Sequence, residues 1–344
     1  MSKLLSIIVP TYNMEKYLHK CLDSLIVSKE NMERLEILVV NDGSTDSSSQ
    51  IAHEYEAKYP QTFRVIDKEN GNYGSCINRG LEEATSKYIK VLDADDSFYT
   101  YAFDEFISYL KDKECDIVLT DFCAVDNNGN IIKKSTYNLP IDQSFGLHKL
   151  SKETIYHLHH YHITYRTEIL KNMKYMQTEG ISYTDNEWVF KPMAYVQNII
   201  YCKLCIYSYL RGRQGQTFDP KVLMKNYHQR MTVMKSMAKF YVETCDQYNT
   251  DTQWFMYVRL MRRLSGIYKY YLAVHSTIDG NERLKVFDND LKEISSFLYD
   301  SLDSTTNKLG WHYIRNWRKH KYNRNTLMLR LLRLKNRIKS GSTL

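Results

Sequence analysis

The first third of the chain alternates short apolar segments with longer segments of helical pattern, and this alternation constrains the fold more than any other feature. The apolar segments read LSIIVP, LEILVV, TFRVID, YIKVLD and CDIVLTDF. Helical patterns follow the first four of them, at about residues 14–28, 46–58, 73–84 and 99–111. A strand–helix repeat of this kind predicts an α/β fold, with a mainly parallel sheet and helices on both faces.

The pattern changes twice after Phe122. A hairpin signal, AVDNNGNIIKKS, is followed by mixed segments, and beyond Pro220 the sequence predicts long helices at about residues 221–245, 252–275 and 282–302. A length of 344 residues suits two domains of ordinary size. We therefore expect an α/β domain over residues 1–219 and a helical C-terminal domain over residues 220–344.

The loops that follow the predicted strands are polar. In open parallel sheets, ligands bind outside the carboxyl ends of the strands, so these loops are the expected binding site. The loops are Pro10–Asn13, Asn41–Ser44, Asp67–Asn72 and Asp93–Asp96.

The loop after the fourth strand, in VLDADDSFY, contains Asp93, Asp95 and Asp96. Carboxylates so close repel one another and raise one another's pKa unless a positive charge lies among them. The sequence therefore predicts a cation at this strand end.

Two earlier strand ends offer groups that suit a nucleotide base. Tyr12 lies at a strand tip, where its ring could stack on a planar ligand, and Asp42 could accept a hydrogen bond from a ring N–H. The alternative is an ordinary strand-to-helix turn in which Ser44 or Thr45 caps the next helix. Either stretch alone leaves both interpretations open.

Five motifs in this order, SIIVPTYN, VVNDGSTD, ENGNYGSCINRG, VLDADDSF and YTDNEWVF, resemble glycosyltransferase family 2 over about residues 4–215. The resemblance implies the GT-A fold, which is Rossmann-like, and inverting transfer of a sugar from a nucleotide sugar. It does not extend convincingly into the helical C-terminal region.

The resemblance also implies that the cation is Mg²⁺ or Mn²⁺, shared with the diphosphate of the donor. Such hard cations prefer oxygen ligands, often one or two carboxylates with phosphate and water. On the family pattern Asp95 is the expected metal ligand, and Asp93 lies near the ribose or the outer shell of the metal. Asp96 either lines the sugar site or caps the next helix.

The same resemblance assigns Pro10, Tyr12, Asp42 and Asn72 to the nucleoside pocket. An aspartate opposite the base favours uracil, which offers an N3–H, so a UDP-sugar is the favoured donor. Arg79 could reach the nucleotide or hold the acidic loop, and an ordinary surface arginine is an equal alternative.

The motif ISYTDNEWVF places Asp185 where residues 186–196 begin to look helical, the position of the catalytic carboxylate in the family. We expect Asp185 to accept the proton of the acceptor hydroxyl. The family commonly has an acidic residue directly before this aspartate, whereas this chain has Thr184, which makes Glu187 a rival base. In a purely structural interpretation, Asp185 is the N-cap of the helix.

The segment YLRGRQGQTFD places Arg211 and Arg213 in a loop with two glycines. Guanidinium groups match phosphate oxygens bidentately, so we expect Arg213 to bind the diphosphate when the loop closes. A solvated basic loop is the alternative.

Several classes of protein are disfavoured by the sequence. No apolar segment is long enough to span a bilayer and no signal peptide is expected, so we expect a cytoplasmic protein. Seven scattered cysteines do not form a disulfide framework, and the Cys202–Cys205 C-x-x-C is expected to pack in a strand rather than to bind zinc. A histidine cluster is left without a role: His157, His159, His160 and His162.

The basic excess lies in the C-terminal tail. The chain has a net charge of +7, but residues 304–344 contain eleven basic and no acidic residues, which leaves −4 for residues 1–303. A helical stripe of apolar residues is flanked by these charges, and the preceding Trp311, Trp317 and Tyr322 would suit an interfacial anchor. The tail therefore either binds an anionic membrane surface or packs on the preceding helices. The stripe consists of Leu327, Leu331, Leu334 and Ile338.

We expect a metal-dependent glycosyltransferase that builds a bacterial surface glycan on a glycan or lipid-linked acceptor. One alternative is a nucleotidyltransferase that makes the sugar nucleotide, although PTYNMEKYL lacks the glycine-rich loop of that activity. Another is an inactive protein whose tail binds nucleic acid or membrane. An intact acidic motif argues against nucleic-acid binding as the function.

Overall fold

A computed structural model describes residues 3–213, 215–216 and 219–341, and the chain divides into two compact units, Met1–Val222 and Leu223–Leu344. All of the described strands lie in the first unit, and the second unit is helical where it is described.

The described residues of the first unit form one sheet of ten strands. They are β1 Leu5–Thr11, β2 Leu35–Asn41, β3 Phe63–Asp67, β4 Tyr88–Val91, β5 Ser97–Phe98, β6 Ile117–Val125, β7 Ile131–Ser135, β8 Ser144–Phe145, β9 Ile163–Arg166 and β10 Ile199–Leu210.

The strand order is β3-β2-β1-β4-β9-β6-β10-β5, with β7 paired to β6 and β8 paired to β10. The first four strands are parallel, so β1, β2 and β4 end at the same edge. Strand β9 is antiparallel to both of its neighbours, and β6 and β10 are parallel to each other. The predicted α/β fold class is confirmed, and the predicted hairpin is the antiparallel pair β6–β7.

Eight α-helices and three 3₁₀ helices accompany the sheet within the described residues. The α-helices are α1 Glu15–Asp23, α2 Lys29–Arg34, α3 Ser48–Lys58, α4 Asn72–Glu83, α5 Thr100–Leu110, α6 Lys152–His157, α7 Thr167–Asn172 and α8 Asp185–Trp188. The 3₁₀ helices are Leu147–Lys149, His160–His162 and Pro192–Tyr195.

Strand β1 is buried on both faces because helices cover the sheet on both sides. Successive side chains of a strand point to opposite faces. Ile7 belongs to the core cluster that contains Leu22 of α1 and Ile51 of α3. Ile8, on the other face, lies against Gly80 of α4, where a Cβ would overlap the isoleucine side chain. Close approach of α4 to the sheet therefore requires glycine at this position.

Two predicted helices are shorter than expected. The helical pattern of residues 14–28 ends at Asp23, and α2 begins only at Lys29. The helix predicted over residues 186–196 was wrong as a single element, since α8 ends at Trp188 and a 3₁₀ helix begins at Pro192. Proline cannot donate the backbone hydrogen bond that a continuous helix would need at that point.

Lys90 is fully buried in β4, with 0% of its surface exposed. Its ammonium group donates to the carbonyl oxygen of Tyr161 at 2.7 Å and to that of Ile163 at 3.2 Å. The ring of Tyr207 has its centroid 6.0 Å from the same nitrogen. Lys90 therefore ties the backbone around the 3₁₀ helix His160–His162 to the central strand of the sheet.

The second unit contains α-helices of different lengths. They are α9 Pro220–Asn226, α10 Gln229–Thr244, α11 Thr250–Lys269, α12 Ile278–Ile294, α13 Ser296–Ser301, α14 Tyr313–Lys319 and α15 Leu327–Gly341. Each predicted long helix is interrupted: α9 and α10 are separate, α11 runs into a π-helix at Tyr270–Val274, and Ser295 separates α12 from α13. Within the described ranges, every helix is too short or too polar to cross a lipid bilayer.

A buried ion pair lies in the core of the second unit. Asp288 is fully buried and accepts hydrogen bonds from Arg318 and from the hydroxyl of Tyr268. Trp317 is also fully buried and donates to Asn281 at 2.9 Å. The prediction that Trp317 is part of an interfacial anchor was therefore wrong, because its ring is a core side chain.

The last helix, α15, buries one face and exposes the other. Leu329 and Leu332 are 0% and 4% exposed, whereas Leu327, Leu331 and Leu334 of the predicted stripe are 74%, 43% and 55% exposed. The helix thus packs through leucines outside the stripe. The side chain of Ile338, the fourth stripe residue, lies outside the described ones.

We predict that Lys90 makes the stability of the first unit depend on pH. Burial lowers the pKa of Lys90 to about 7. The unfolded chain, with an ordinary lysine pKa of about 10.4, therefore binds more protons above pH 7, and this contribution to stability rises with pH. The free energy of unfolding of the wild type, relative to Lys90→Met, should rise by about 2 kcal/mol between pH 7 and pH 9 in urea titrations. The exposed control Lys16→Met should show no such trend, and a pH-independent difference for Lys90→Met would contradict the prediction.

Candidate active site

The loops after β1 and β2 are joined by hydrogen bonds. Asn13, which has a positive φ of 52°, accepts through its side chain from the backbone N–H of Thr45 at 2.8 Å. Its own backbone N–H donates to the hydroxyl of Ser44 at 3.0 Å. Ser44 and Thr45 therefore do not cap the next helix, whose N-cap is Ser47.

Asp42 lies at the end of β2 and is 2% exposed. Its Oδ1 accepts from the ammonium of Lys68 at 2.7 Å, from the backbone N–H of Gly71 at 2.9 Å and from the hydroxyl of Ser75 at 3.4 Å. These donors hold the carboxylate in one orientation and compensate its charge.

The other residues assigned to the nucleoside pocket surround the same edge of the sheet. Pro10 is buried within β1, and Tyr12, directly after that strand, is 46% exposed. Asn72 begins α4 with a positive φ of 65°. The ring of Tyr12 is therefore accessible for stacking.

Asp93 has a hydrogen-bond donor on each carboxylate oxygen. The hydroxyl of Tyr73 donates to Oδ1 at 3.0 Å, and Nε2 of His160 contacts Oδ2 at 3.2 Å. Burial alone would raise the pKa of Asp93, but the contact with His160, the hydrogen bond from Tyr73 and the charge of Arg213 outweigh it and hold that pKa below its ordinary value. Asp93 is thus favoured in its ionised form.

Asp95 forms an ion pair with the loop after β10. Nε of Arg213 lies 2.5 Å from Oδ2 of Asp95, and the side-chain amide of Gln216 lies 3.4 Å from the same oxygen. Gly212 and Gly215 of this loop have positive φ values of 96° and 79°. The structure therefore brings Arg213 to the acidic cluster.

Asp96 is held by the backbone and side chains of β10. The hydroxyl of Tyr207 donates to one carboxylate oxygen at 2.8 Å, and the backbone N–H of Leu210 donates to the other at 2.7 Å. Burial, followed by the charges of Asp95 and Asp93, raises the pKa of Asp96 well above its ordinary value. Asp96 does not cap α5, because the N-cap of that helix is Tyr99.

One ligand atom from each of Asp93, Asp95 and Asp96 can be chosen so that all three lie within 4.8 Å of one another. Three carboxylates at this spacing offer the oxygen donors that Mg²⁺ and Mn²⁺ prefer. The residues therefore fit a hard divalent cation. Asp95 is the acid whose partner a cation could most readily replace, because that partner, Arg213, lies on a glycine-containing loop.

Asp185 begins α8 and is half-buried. The N-cap of α8 is Thr184, and no side-chain cap hydrogen bond is made, so Asp185 is not a capping residue. Burial and the charges of Asp93 and Asp185 together raise the pKa of the Tyr73 hydroxyl. The charge of Asp185 therefore acts on the same phenol that hydrogen bonds to the acidic cluster.

Glu187, in contrast, is a fully buried structural residue. Its carboxylate accepts from the backbone N–H and the hydroxyl of Thr178, at 2.7 Å and 3.0 Å, and pairs with Lys191 at 2.7 Å. These contacts disfavour Glu187 as the rival base, because both of its oxygens already hold the preceding loop and Lys191.

That loop also packs directly on α4. A Cβ at Gly74 would overlap the carbonyl oxygen of Thr178, so only glycine permits this contact. Asn78 and Gln177 exchange two hydrogen bonds beside it, at 2.8 Å and 2.9 Å. Glu187 and α4 therefore fix the loop that leads to Asp185.

The remaining candidates lie outside the cluster. Arg79 is 42% exposed on its side chain and pairs with Glu82 and Glu83 of its own helix, as a surface arginine does. Arg211 is exposed and extends the sheet through its backbone N–H. Among the described residues, no cysteine belongs to a potential metal-binding group.

His160 is the site residue that the sequence pattern left without a role. Four histidines occur within six positions of the chain, and the local spacing does not distinguish the one that contacts Asp93 from the others. Only the fold of the backbone around residues 160–163 separates them.

Residues 6–174 match the family model described as Glycosyl transferase family 2. The chain carries a glycosyltransferase family 2 domain over these residues. The matched family 2 region contains the nucleoside-pocket residues and the acidic cluster, and it ends before Asp185. The five motifs from which the family was predicted lie in or just beyond this region, and the family prediction is confirmed.

Two relatives from Bacillus subtilis each match about a third of this family 2 chain. The putative glycosyltransferase EpsH is 38% identical over 119 residues, which cover 35% of this chain and 33% of EpsH. The minor teichoic acid biosynthesis protein GgaB is 36% identical over 115 residues, covering 33% of this chain and 13% of GgaB. The chain spans about a third of the length of the first curated relatives that it matches.

A crystal structure of S. aureus TarS, residues 1–349, superposes with a TM-score of 0.72 and 20% identity, covering 98% of this chain and 92% of the other. A second crystal structure holds the same TarS fragment in complex with UDP-GlcNAc. At this identity the likeness shows the fold alone, and the predicted GT-A fold with a helical C-terminal region is confirmed.

Proposed function

We propose that this chain is a metal-dependent, inverting glycosyltransferase that moves a sugar from a UDP-sugar to a hydroxyl of a glycan or lipid-linked acceptor, in the synthesis of bacterial surface polysaccharide. One observation carries the proposal: one carboxylate oxygen from each of Asp93, Asp95 and Asp96 lies within 4.8 Å of the others at the carboxyl end of β4. Family 2 membership and the similarity to GgaB, a teichoic acid biosynthesis protein, support the reaction class and the pathway.

The proposed donor site lies at the ends of β1 and β2. Asp42 is held so that its carboxylate can accept the N3–H of uracil, and the exposed ring of Tyr12 can stack on the base. Pro10 and Asn72 complete the pocket. The complex of the structurally similar TarS with UDP-GlcNAc supports a uridine nucleotide.

Asp95 is proposed as the metal ligand, with Asp93 directed to the ribose or to the outer shell and Asp96 to the sugar. A bound Mg²⁺ or Mn²⁺ would supply positive charge for the leaving diphosphate. Arg213 pairs with Asp95 and lies on a loop with two glycines. Its side chain can therefore move from Asp95 to the phosphate oxygens of the donor.

Asp185 is proposed as the general base. A hydroxyl is a poor nucleophile until it loses its proton, and a positioned carboxylate accepts that proton as the oxygen attacks the anomeric carbon. The oxygen bonds to the anomeric carbon while the bond to the diphosphate breaks, so inversion requires no nucleophile from the protein.

The first prediction tests the metal ligand. Asp95→Ala should abolish both sugar transfer and the metal-dependent binding of a UDP-sugar, because the diphosphate then has no bound cation beside it. Calorimetry with a panel of nucleotide sugars, with and without Mg²⁺ or Mn²⁺, measures this binding, and the exposed Asp112→Ala is the control.

Turnover of Asp95→Ala near the wild-type rate would refute the metal assignment. Release of pyrophosphate from UTP and a sugar phosphate by the wild type would instead favour the nucleotidyltransferase alternative. Absence of donor binding and hydrolysis in the wild type would favour a protein that only binds other molecules.

A second prediction separates the two carboxylates of α8. Asp185→Asn should slow transfer by about 10² to 10⁴-fold while leaving donor affinity unchanged, as expected for loss of a general base. Glu187→Gln should mainly lower thermal stability, because it weakens buried contacts to Thr178 and Lys191. Folded Glu187→Gln with a larger loss of turnover than Asp185→Asn would reverse these roles.

The exposed face of α15 is proposed to bind an anionic membrane surface, where a lipid-linked acceptor would be found. Leu327, Leu331 and Leu334 present apolar surface on one side of the helix, and the exposed Arg330 lies among them. Basic residues near anionic lipids contribute about 1 kcal/mol each, and the leucines add burial of apolar surface.

We predict that the chain sediments with vesicles containing phosphatidylglycerol in low salt and is released in high salt. The double variant Leu331→Glu/Leu334→Glu should lose this binding and keep its thermal stability, since both side chains are exposed. Val286→Glu, which replaces a 60% exposed residue of α12, is the control. Substitution is preferable to deletion of the helix, because Leu329 and Leu332 are core residues. Equal vesicle binding by the double variant and the wild type would rule out this surface.

A further inference from the structure

His160 contacts the acidic cluster through Asp93, and its ring is almost completely buried. Its exposed fraction is 5%, and its Nε2 lies 3.2 Å from Oδ2 of Asp93. The ring packs against that of Tyr161, with centroids 4.0 Å apart. The imidazole is therefore held in place by packing as well as by its contact with the carboxylate.

The hydrogen bonds identify the tautomer of His160. An ionised carboxylate only accepts hydrogen bonds, so Nε2 must carry a proton to bond with Asp93. The other ring nitrogen, Nδ1, is buried and has no hydrogen-bond partner among the described residues. A proton on Nδ1 would lack an acceptor, which is costly in a buried site. The arrangement thus requires a ring that donates from Nε2 to Asp93.

The same strand fixes both partners of this hydrogen bond. Strand β4 leads directly into Asp93, and Lys90, three positions earlier, donates to the carbonyl oxygens of Tyr161 and Ile163 on the C-terminal side of the histidine. Because β4 holds the backbone beside His160 as well as Asp93, the distance between the imidazole and the carboxylate is set by the core of the sheet.

We propose that His160 is a positioning residue which, together with Tyr73, fixes the plane of the Asp93 carboxylate for binding of the nucleotide-sugar donor. Each of the two donors occupies a different oxygen of Asp93, so the carboxylate cannot rotate without losing one of them. The remaining lone pairs of Asp93 then face the donor in one orientation. This inference rests on the proposed function.

A purely structural role predicts a different result. If His160 only filled space, a ring of similar size would preserve donor binding in every folded molecule. If it positions Asp93, loss of the Nε2–H must weaken donor affinity, while the chemical step at Asp185 is little affected. The ratio of KM to kcat and rescue by a hydrogen-bonding side chain therefore distinguish the two roles.

The experiment compares His160→Phe with His160→Gln in the full chain. His160→Phe should raise KM for the UDP-sugar, and the Kd for UDP in calorimetry with Mg²⁺ or Mn²⁺, by about 10-fold, with kcat within about 2-fold of the wild type. His160→Gln, whose amide can donate to Asp93, should recover most of this loss. The exposed His157→Phe is the control and should match the wild type.

Tyr73→Phe removes only the hydroxyl that donates to Oδ1 of Asp93, and it should also raise KM for the UDP-sugar and Kd for UDP. This variant keeps the test available if His160→Phe does not fold. Unchanged affinity in Tyr73→Phe and in folded His160→Phe would overturn the inference. So would an equal loss in His160→Gln and His160→Phe. If the wild type itself binds no nucleotide sugar, the proposed function fails first, and this inference fails with it.

Discussion

Repulsion among three carboxylates within 4.8 Å is the constraint on which the rest of the candidate active site depends. Each acid is compensated differently. Asp96 is buried, has a raised pKa and accepts from Tyr207 of β10, whereas Asp95 pairs with the guanidinium of Arg213. Asp93 has a hydrogen-bond donor on each of its two oxygens, Tyr73 on one and His160 on the other. The acid compensated by a loop residue is the one whose partner can be exchanged, which is why we propose Asp95 as the metal ligand.

Strand β10 connects these compensations to the fold. It pairs with β6 along its length and with the short β5 that follows the acidic loop. Tyr207 donates to Asp96 and accepts from the backbone N–H of Asp93 at 3.2 Å, so one hydroxyl bridges both ends of the turn. Beyond Leu210 the same strand leads into the loop of Arg213. A parallel half-sheet alone would expose the acids, and β10 supplies the groups that hold them.

Much of the fold could be predicted because its signals are local. The five apolar segments are all strands, and four of them are almost continuously buried, which leaves little choice in a sheet covered on both faces. Strand β3, at the end of the strand order, is only partly buried. The strand ends also identified the acidic cluster, because the carboxyl ends of parallel strands meet at one edge. Helix ends were less predictable: Pro192 interrupts the helix expected after Asp185, and Ser295 ends one long C-terminal pattern and caps the next helix through its side chain.

The roles of individual acids and histidines required distances that no local pattern contains. Glu187 and Asp185 are two positions apart in one motif, yet Glu187 points to Thr178 and Lys191 in the core and Asp185 does not. Glu187 is fully buried and both of its oxygens already have partners, which favours a supporting role for it. His160 shows the same principle in reverse. Its contact joins positions 67 residues apart in the sequence, and buried Lys90 holds the backbone on the C-terminal side of His160 against β4. Support of this kind requires a lysine to be buried in the core, which is energetically unfavourable. Such burial is reasonable where the orientation of one carboxylate determines how tightly a charged donor is bound.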